Sequence, residues 1–171
     1  MLGESGLFEV LARENITTFK KHNVRKIITL SPHAYNAIKN FYPQYSGKFK
    51  VYHYTQMLSK LMKEGRLAFR TYYEAKVTYH DPCFLGRWNE EYGAPRNIIN
   101  GLPGIQFVEM VKNSDGALCC GGGGGNFIMD LLGGSKDSPS RRRIRDAAKT
   151  GVNIVATACP KCLIMLEDAA K

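Results

Sequence analysis

The stretch VATACPKC, Val155–Cys162, is the part of this chain that best predicts its fold. It begins with β-prone residues, reaches Cys159, and continues with a proline, which suits the first turn of a helix. This pattern predicts a strand over Gly151–Thr157 followed by a helix over Pro160–Ala170. Cys159 and Cys162 would then share a strand-to-helix turn, where the helix N-terminus favours the negative charge of thiolates.

Short β-rich segments and helical segments alternate along the whole chain. The predicted strands are Arg25–Leu30, Lys48–His53, Lys76–His80, Gln106–Val111, Gly116–Cys119 and Gly151–Thr157. The predicted helices are Leu7–Lys20, His33–Phe41, Thr55–Lys63, Pro95–Asn100, Asn126–Leu132, Ser140–Lys149 and Pro160–Ala170. Alternation of this kind is typical of an α/β fold, so we expect mainly parallel sheets flanked by helices.

An internal similarity relates two of these strand-to-helix turns. Ile27–Ala34, IITLSPHA, aligns with Val155–Cys162, because both lead from a strand with threonine through one apolar residue into X-Pro-X-X. Ser31 and Ala34 stand where the later copy has cysteines. We therefore expect two pseudo-repeated halves, the first incomplete, in a fragment of a longer protein. Residues 1–75 would be the C-terminal part of a degenerate first repeat, and residues 76–171 a complete repeat.

The cysteines carry the strongest chemical signal in this sequence. The chain contains five of them: Cys83, Cys119, Cys120, Cys159 and Cys162. Three follow predicted strands, and ligands of open α/β sheets bind beyond the carboxyl ends of the strands. We therefore expect distant loops to bring these thiols together at one edge of the fold. Because five thiols cannot all pair as disulfides, the set favours a metal or redox site.

The vicinal pair Cys119-Cys120 narrows the type of site. Neighbouring side chains of an extended segment point to opposite sides, so the pair suits two irons better than one zinc. Five thiolates also exceed the four that close a structural zinc site, which favours a polynuclear iron–sulfur centre. Two alternatives stay open. Cys83, one of the vicinal pair, Cys159 and Cys162 could close a tetrahedral zinc site of a structural or interaction module, or the last two could form a metal-free redox dithiol.

Five glycines, Gly121–Gly125, follow the vicinal cysteines directly. Because glycine has no Cβ atom, these backbone amides can approach a cluster closely and donate hydrogen bonds to its sulfurs. We expect Gly121, Gly122 and Gly123 to contribute to cofactor binding. A dinucleotide or phosphate site is not indicated, since G-x-G-x-x-G would need glycine in place of Asn126 and no Gly-Lys-Ser/Thr follows.

The 171-residue chain is basic, with a net charge of +9 and a pI near 9.4. No nucleic-acid motif accompanies this charge, so we expect no nucleic-acid partner. No apolar run approaches the ~18 residues of a membrane span, and the N-terminus lacks a secretory pattern. We expect a cytoplasmic protein without direct membrane insertion, with any membrane association made through partner subunits.

Other residues receive structural roles from the sequence. The run Arg141–Arg145 predicts a solvated helix face, and Trp88 is expected in the core. A cation such as Lys161 or Arg87 could offset the negative charge of the thiolates. The remaining polar residues near cysteines or strand ends are expected to be capping, solvated or surface residues: His22, His33, His53, His80, Asp81 and Lys161.

The cysteine spacing resembles that of a known family. One cysteine, 35 residues, Cys-Cys-Gly, 37 residues and Cys-x-x-Cys is similar to the cysteine-rich CCG domain of the heterodisulfide reductase family. The five cysteines and Gly121 match the positions of that motif. HDPCFLGR, His80–Arg87, and YGAPR, Tyr92–Arg96, resemble the D-type branch of that family.

This resemblance implies an iron–sulfur oxidoreductase. In such proteins the α/β CCG domain is duplicated, and an intact copy holds a [4Fe–4S] cluster, in some members a noncubane one with five cysteine ligands. It implies that the five cysteines here are cluster ligands and catalytic residues for disulfide reduction or electron transfer. Ser31 and Ala34 argue against a second cluster. Because C-x-x-C-x-x-C segments are missing, partner subunits with iron–sulfur clusters or flavin would supply electrons.

Overall fold

A computed structural model describes residues 4–129 and 135–171, and it confirms the predicted α/β fold. Its strands are β1 Lys26–Thr29, β2 Lys50–His53, β3 Ala75–His80, β4 Ile105–Phe107 and β5 Ile154–Thr157. β1 pairs with β2 in one sheet, and the order of the other sheet is β4–β3–β5. All of these pairs are parallel, as the alternation of strands and helices predicts.

The helices lie close to their predicted positions. They are α1 Ser5–Lys21, α2 Pro32–Asn36, α3 Tyr54–Lys63, α4 Gly93–Asn100, α5 Asn126–Met129, α6 Pro139–Ala148 and α7 Pro160–Ala170. α2 continues through a π-helical turn at Ala37–Phe41 and a 3-10 turn at Tyr42–Tyr45, which together extend the predicted helix. The predicted helix Asn126–Leu132 begins at Asn126, and its last residues fall outside the described part of the chain.

The register of the larger sheet places two cysteine loops side by side. His80 at the end of β3 pairs with Thr157 at the end of β5. The chain therefore leaves both strands at the same edge, toward Cys83 in one case and toward Cys159 in the other. This is the convergence expected at the carboxyl ends of parallel strands.

A common core joins the two sheets. Tyr35 of α2 lies in the same buried cluster as Val77 and Tyr79 of β3, and Val51 of β2 packs against it. On the outer side, α1 buries Ala12 and Ile16 in a second cluster with Ile38 and Tyr42. The first part of the chain is thus packed against the part that carries the cysteines.

The two strand-to-helix turns with similar sequences have the same local structure. Ser31 and Cys159 both precede the first helical residue with extended backbone, and a proline follows each. The backbone N–H of Tyr35 donates to the carbonyl of Ser31, and that of Leu163 to Cys159, each at 2.9 Å. The division of the chain into two repeats stays a prediction.

The strand predicted at Gly116–Cys119 is wrong. Ser114–Gly116 forms a 3-10 turn, and the segment pairs with no strand in the described part of the chain. The Arg87 guanidinium donates instead to the carbonyls of Asp115 and Ala117, at 3.0 and 2.8 Å. Because a side chain satisfies these carbonyls, the segment needs no neighbouring strand.

Two large side chains lie opposite to expectation. Trp88 is not in the core but 64% exposed, and its ring stacks on Phe84. Arg143, in the run predicted to be solvated, is fully buried. It shares the buried face of α6 with Ser140 and Ala147, three residues before and four after it. Helical spacing, not the charge of the run, decides its position.

Candidate metal centre

The five cysteines gather at the carboxyl edge of the larger sheet. Cys83 follows β3, Cys159 and Cys162 lie at the start of α7, and the vicinal pair precedes the glycine run. Cys120, Cys159 and Cys162 are buried and form one cluster with Leu166 of α7. Cys83 is half-buried, Cys119 is exposed, and none of the five forms a disulfide. Free thiols from three separate regions are therefore present in one place.

The thiols form a continuous chain of contacts. The sulfurs of Cys120 and Cys162 are 3.3 Å apart. Hydrogen-bonding contacts also join Cys83 to Cys119, Cys119 to Cys120, and Cys162 to Cys159. Each of the five predicted ligands thus touches at least one other. Such proximity is unusual for thiols without a shared ligand, since each could bind a metal as a thiolate.

Proton sharing along this chain divides the thiols into two kinds. Hydrogen bonds from Cys120 and then Cys83 lower the pKa of Cys119 to about 2, and one from Cys162 lowers the pKa of Cys159 to about 4. Hydrogen bonding to Cys119 raises the pKa of Cys120 to about 11 and also raises the pKa of Cys83. The pKa of Cys162 is raised by its contacts with Cys120 and Cys159. Thiolates therefore alternate with thiols that donate to them.

The glycine run shapes the loop beside the vicinal pair. Gly121 has φ +81°, and its amide donates to the sulfur of Cys119 at 3.3 Å. The amide of Gly122 donates to Cys120, and a Cβ at Gly122 would lie 2.8 Å from Cγ of Met165. Gly123, by contrast, is exposed, with open space where a Cβ would be. The first two glycines thus contact the thiols through their amides.

Two open cavities reach this group of thiols. One of about 220 Å³ is lined by Leu118, Cys119, Pro139 and Arg142. The other, of about 250 Å³, reaches Cys159 and contains Leu30 and Tyr54 from the first part of the chain. A small molecule can therefore approach the thiols from two directions.

Comparison with known proteins identifies the family. The profile of CCG, a cysteine-rich domain, matches residues 77–167, more than half of the chain. The chain belongs to the CCG family. The matched region includes all five cysteines, and the resemblance predicted from their spacing is confirmed.

Relatives of this CCG domain are named as redox proteins. The probable iron-sulfur-binding oxidoreductase FadF of Bacillus subtilis is 41% identical over 99% of this chain and 24% of that protein. The EtfAB:quinone oxidoreductase of Syntrophomonas wolfei is 39% identical over 99% and 24%. The D-type subunit of the dihydromethanophenazine:CoB–CoM heterodisulfide reductase of Methanosarcina barkeri is 34% identical over 92% and 39%.

The chain spans between about a quarter and two fifths of the length of these relatives. No solved structure matches it. Within the described residues, no helix combines the length and apolar character that a membrane crossing requires. The family assignment therefore rests on the CCG motif and its surroundings.

His80 and Arg143 are the polar residues of this CCG domain that sequence reasoning missed. His80 is buried, and one of its ring nitrogens lies within 4.8 Å of the sulfurs of Cys120 and Cys162. Arg143 Nε donates to His80 Nδ1 at 3.1 Å. Burial, and then the charge of Arg143, lowers the pKa of His80 to about 4. The three-and-four spacing of Arg143 with small residues on α6 is the signal that could have placed it inside.

His33 was also expected at the surface, yet it reaches the thiols. It is in hydrogen-bonding contact with the sulfur of Cys159, and its ring packs on Phe84 at 4.3 Å. Its position in the sequence repeat matches that of Lys161, which lies over the Phe127 ring at 4.7 Å. The first part of the CCG chain thus contributes a histidine, not a cysteine, to this region.

Asp81 is neither a solvated residue nor a helix cap. It is buried and accepts two hydrogen bonds from the Arg96 guanidinium, at 2.7 and 3.0 Å. It also accepts from the backbone N–H of Ser114 at 2.9 Å. This bidentate ion pair connects the end of β3 to the segment that leads into the vicinal cysteines.

Proposed function

We propose that this CCG domain binds a [4Fe–4S] cluster, in cubane or noncubane form, and serves as a redox domain of an oxidoreductase. The proposed ligands are Cys83, Cys119, Cys120, Cys159 and Cys162. The supporting observation is the continuous set of contacts that connects all five sulfurs. A donor set of five thiols suits soft, polynuclear iron–sulfur centres better than a single divalent ion.

The surroundings of the thiols fit such a group. Soft donors face a region where buried polar atoms lack partners among the described residues, namely His80 Nε2 and Arg143 Nη2. The amides of Gly121 and Gly122 already donate to cysteine sulfurs, as expected around an iron–sulfur site. Burial of Cys120, Cys159 and Cys162 would protect the inner side of the centre from solvent.

The number of ligands separates the two forms of cluster. A cubane cluster needs four cysteines, whereas the five present here would suit a noncubane one. Cys119 is the exposed member of the set, and Cys83 is half-buried. These two are therefore the ligands that a substrate or a redox partner could approach most directly.

The reaction we propose is disulfide reduction or electron transfer. A bound cluster supplies one-electron transfer, and two electrons in succession convert a disulfide into two thiolates. The cavity beside Cys119 would admit the disulfide, and Arg142 at its rim would attract an anionic one. Support comes from relatives named as part of a heterodisulfide reductase and as a quinone oxidoreductase.

The proposed setting is a larger redox complex. Relatives are two and a half to four times longer than the aligned region, and one is named a probable membrane-anchored ferredoxin. We infer that further iron–sulfur clusters or a flavin, on the same protein or on partner subunits, deliver electrons to this domain. Association with a membrane would then come from those parts.

Anaerobic reconstitution with iron and sulfide tests the proposal. We expect a broad visible charge-transfer absorption and an EPR signal after one-electron oxidation or reduction. Substitution of Cys120 by serine should remove both, whereas Ser31→Ala, at a position without a proposed ligand, should retain both. Absence of the absorption and of the EPR signal from the reconstituted parent chain would overturn the proposal.

A single-turnover experiment separates the two reactions. The reconstituted domain is reduced, freed of reductant and mixed with an anionic disulfide. Disulfide reduction predicts reoxidation in proportion to disulfide, with two thiols formed for two electrons consumed. Electron transfer without disulfide chemistry predicts no such reoxidation.

One observation favours zinc as a second candidate. His80, Cys120 and Cys162 present ligand atoms within 4.8 Å of one another, a spacing compatible with one metal ion. Cys159 would complete a tetrahedral set in a structural module. Metal analysis separates the candidates, because a zinc module would contain one zinc and no inorganic sulfide.

A further inference from the structure

The buried pair Arg143 and His80 has a fixed direction of hydrogen bonding. Arg143 is fully enclosed, and its Nε donates to Nδ1 of His80 at 3.1 Å. Its Nη1 donates to the carbonyl of Lys112 at 2.6 Å and to the Asp146 carboxylate at 3.1 Å. A guanidinium has donors only and keeps its proton in proteins, so it cannot accept a hydrogen bond from the histidine.

This contact decides which nitrogen of His80 carries the proton. Because Nδ1 faces a permanent donor, it must offer its lone pair, and the ring proton must sit on Nε2. A ring with protons on both nitrogens would set two donors against each other. Among the described residues, Nε2 is buried and lacks a hydrogen-bond partner.

The same ring lies beside the thiols. One of its nitrogens is within 4.8 Å of the sulfurs of Cys120 and Cys162, a spacing at which a histidine could share a metal with them. A metal ligand needs a free lone pair. The lone pair of Nδ1 is used by Arg143, and Nε2 holds the proton, so neither nitrogen is free to coordinate.

We propose that Arg143 fixes His80 as a neutral hydrogen-bond donor beside the metal centre and excludes it from the ligand set. The role of this pair toward a cluster rests on the proposed function, whereas the tautomer does not. In this role His80 is a positioning and tuning residue that acts on the sulfurs, and Arg143 acts through His80. The guanidinium also places a positive charge behind the ring.

A donor and a cation in this position should stabilise the more negative, reduced state of a cluster. Hydrogen bonds to sulfur and nearby charge are the protein's means of setting the potential of such centres. Loss of the N–H at His80 should therefore shift the reduction potential to more negative values. Retention of an N–H at the same position should restore it.

The first test is made on the metal-free chain, so it is independent of the cluster. Nitrogen-15 NMR of the chain labelled in histidine reports which ring nitrogen is protonated. We expect His80 with its proton on Nε2 and a bare Nδ1. In Arg143→Met the two tautomers should mix, whereas Arg145→Met, an exposed arginine of the same helix, should leave the signal unchanged. A proton on Nδ1 in the parent chain would overturn the proposal.

The second test is made on the reconstituted chain. Redox titration followed by EPR should give a more negative potential for His80→Phe than for the parent, and His80→Gln, which keeps an amide N–H, should recover most of the shift. Hyperfine spectroscopy with labelled histidine should detect a weakly coupled nitrogen. Equal potentials in all three chains, or the strong coupling of a directly bound nitrogen, would refute the role. If no cluster forms, the proposed function fails and the NMR result still decides the tautomer.

Discussion

The turns at Ile27–Ala34 and Val155–Cys162 have the same backbone and different chemistry. In each, a parallel strand ends in an extended residue, a proline begins a helix, and a 2.9 Å hydrogen bond closes its first turn. The later turn has Cys159 and Cys162 in contact with other thiols. The earlier turn has Ser31 and Ala34 at those positions.

This comparison separates what builds the turn from what could bind a metal. Strand pairing, proline and the first helical hydrogen bond are common to both copies, so the turn forms without any cysteine. Two side chains decide whether it presents thiols. The third variable position matters too, because His33 of the earlier turn reaches the sulfur of Cys159 while Lys161 of the later turn packs over Phe127.

The largest expected difference between the turns appears on removal of one proposed ligand. Cys159→Ala should abolish cluster binding, since its sulfur touches that of Cys162 at the buried side of the centre. Ser31→Ala makes the equivalent change in the earlier turn, where the serine side chain forms no cap hydrogen bond, and should bind as much iron as the parent. Iron content after reconstitution and gel filtration measures both. Equal iron in the two variants would contradict the assigned difference.

A smaller difference is expected at the third position of the turns. His33→Ala should weaken metal binding about 10- to 100-fold, as loss of a hydrogen bond to a ligand usually does. Lys161→Ala should change metal affinity little and cost only about 0.5–1 kcal/mol of stability through its lost contact with the Phe127 ring. Competition with a chelator gives the affinities, and urea unfolding gives the stability. A greater loss of affinity in Lys161→Ala than in His33→Ala would reverse the assignment.

The glycine loop beside the later turn provides a test of packing. Gly122→Ala would place its Cβ 2.8 Å from Cγ of Met165 on α7, and such overpacking costs about 1–3 kcal/mol. Gly123→Ala meets open space and should be close to neutral. Urea unfolding of the metal-free chains measures the difference. A destabilised Gly123→Ala with an unchanged Gly122→Ala would show that the loop is packed differently.

The smallest effect is expected when the earlier turn is given cysteines. The double variant Ser31→Cys, Ala34→Cys should bind the same amount of iron per chain as the parent. Two thiols do not complete a four-cysteine cluster site, and the chain's own five cysteines all lie around the later turn. A doubling of iron and sulfide per chain would mean that the earlier turn lacks only these two residues.

Much of the fold follows from sequence patterns, because strands, helices and their parallel pairing depend on local periodicity. The strand predicted at Gly116–Cys119 failed since its carbonyls are satisfied by Arg87, a residue 28 positions away from Asp115. No local pattern contains that contact. The convergence of the cysteines could be expected from their places after strands, which is a property of parallel sheets.

The polar surroundings of the centre were harder to predict. Charge density suggested that Arg143 is solvated, whereas helical spacing places it inside, and the spacing was the better guide. The burial of His80 and the reach of His33 to Cys159 depend on how two distant parts of the chain pack. Such contacts become visible only when the fold is assembled.

The most direct test of the proposed centre is the composition of the chain purified without oxygen. Iron, zinc and acid-labile sulfide are measured against protein concentration. A [4Fe–4S] centre held by the five cysteines predicts about four irons and four sulfides per chain, with little zinc. One zinc per chain without sulfide would contradict it.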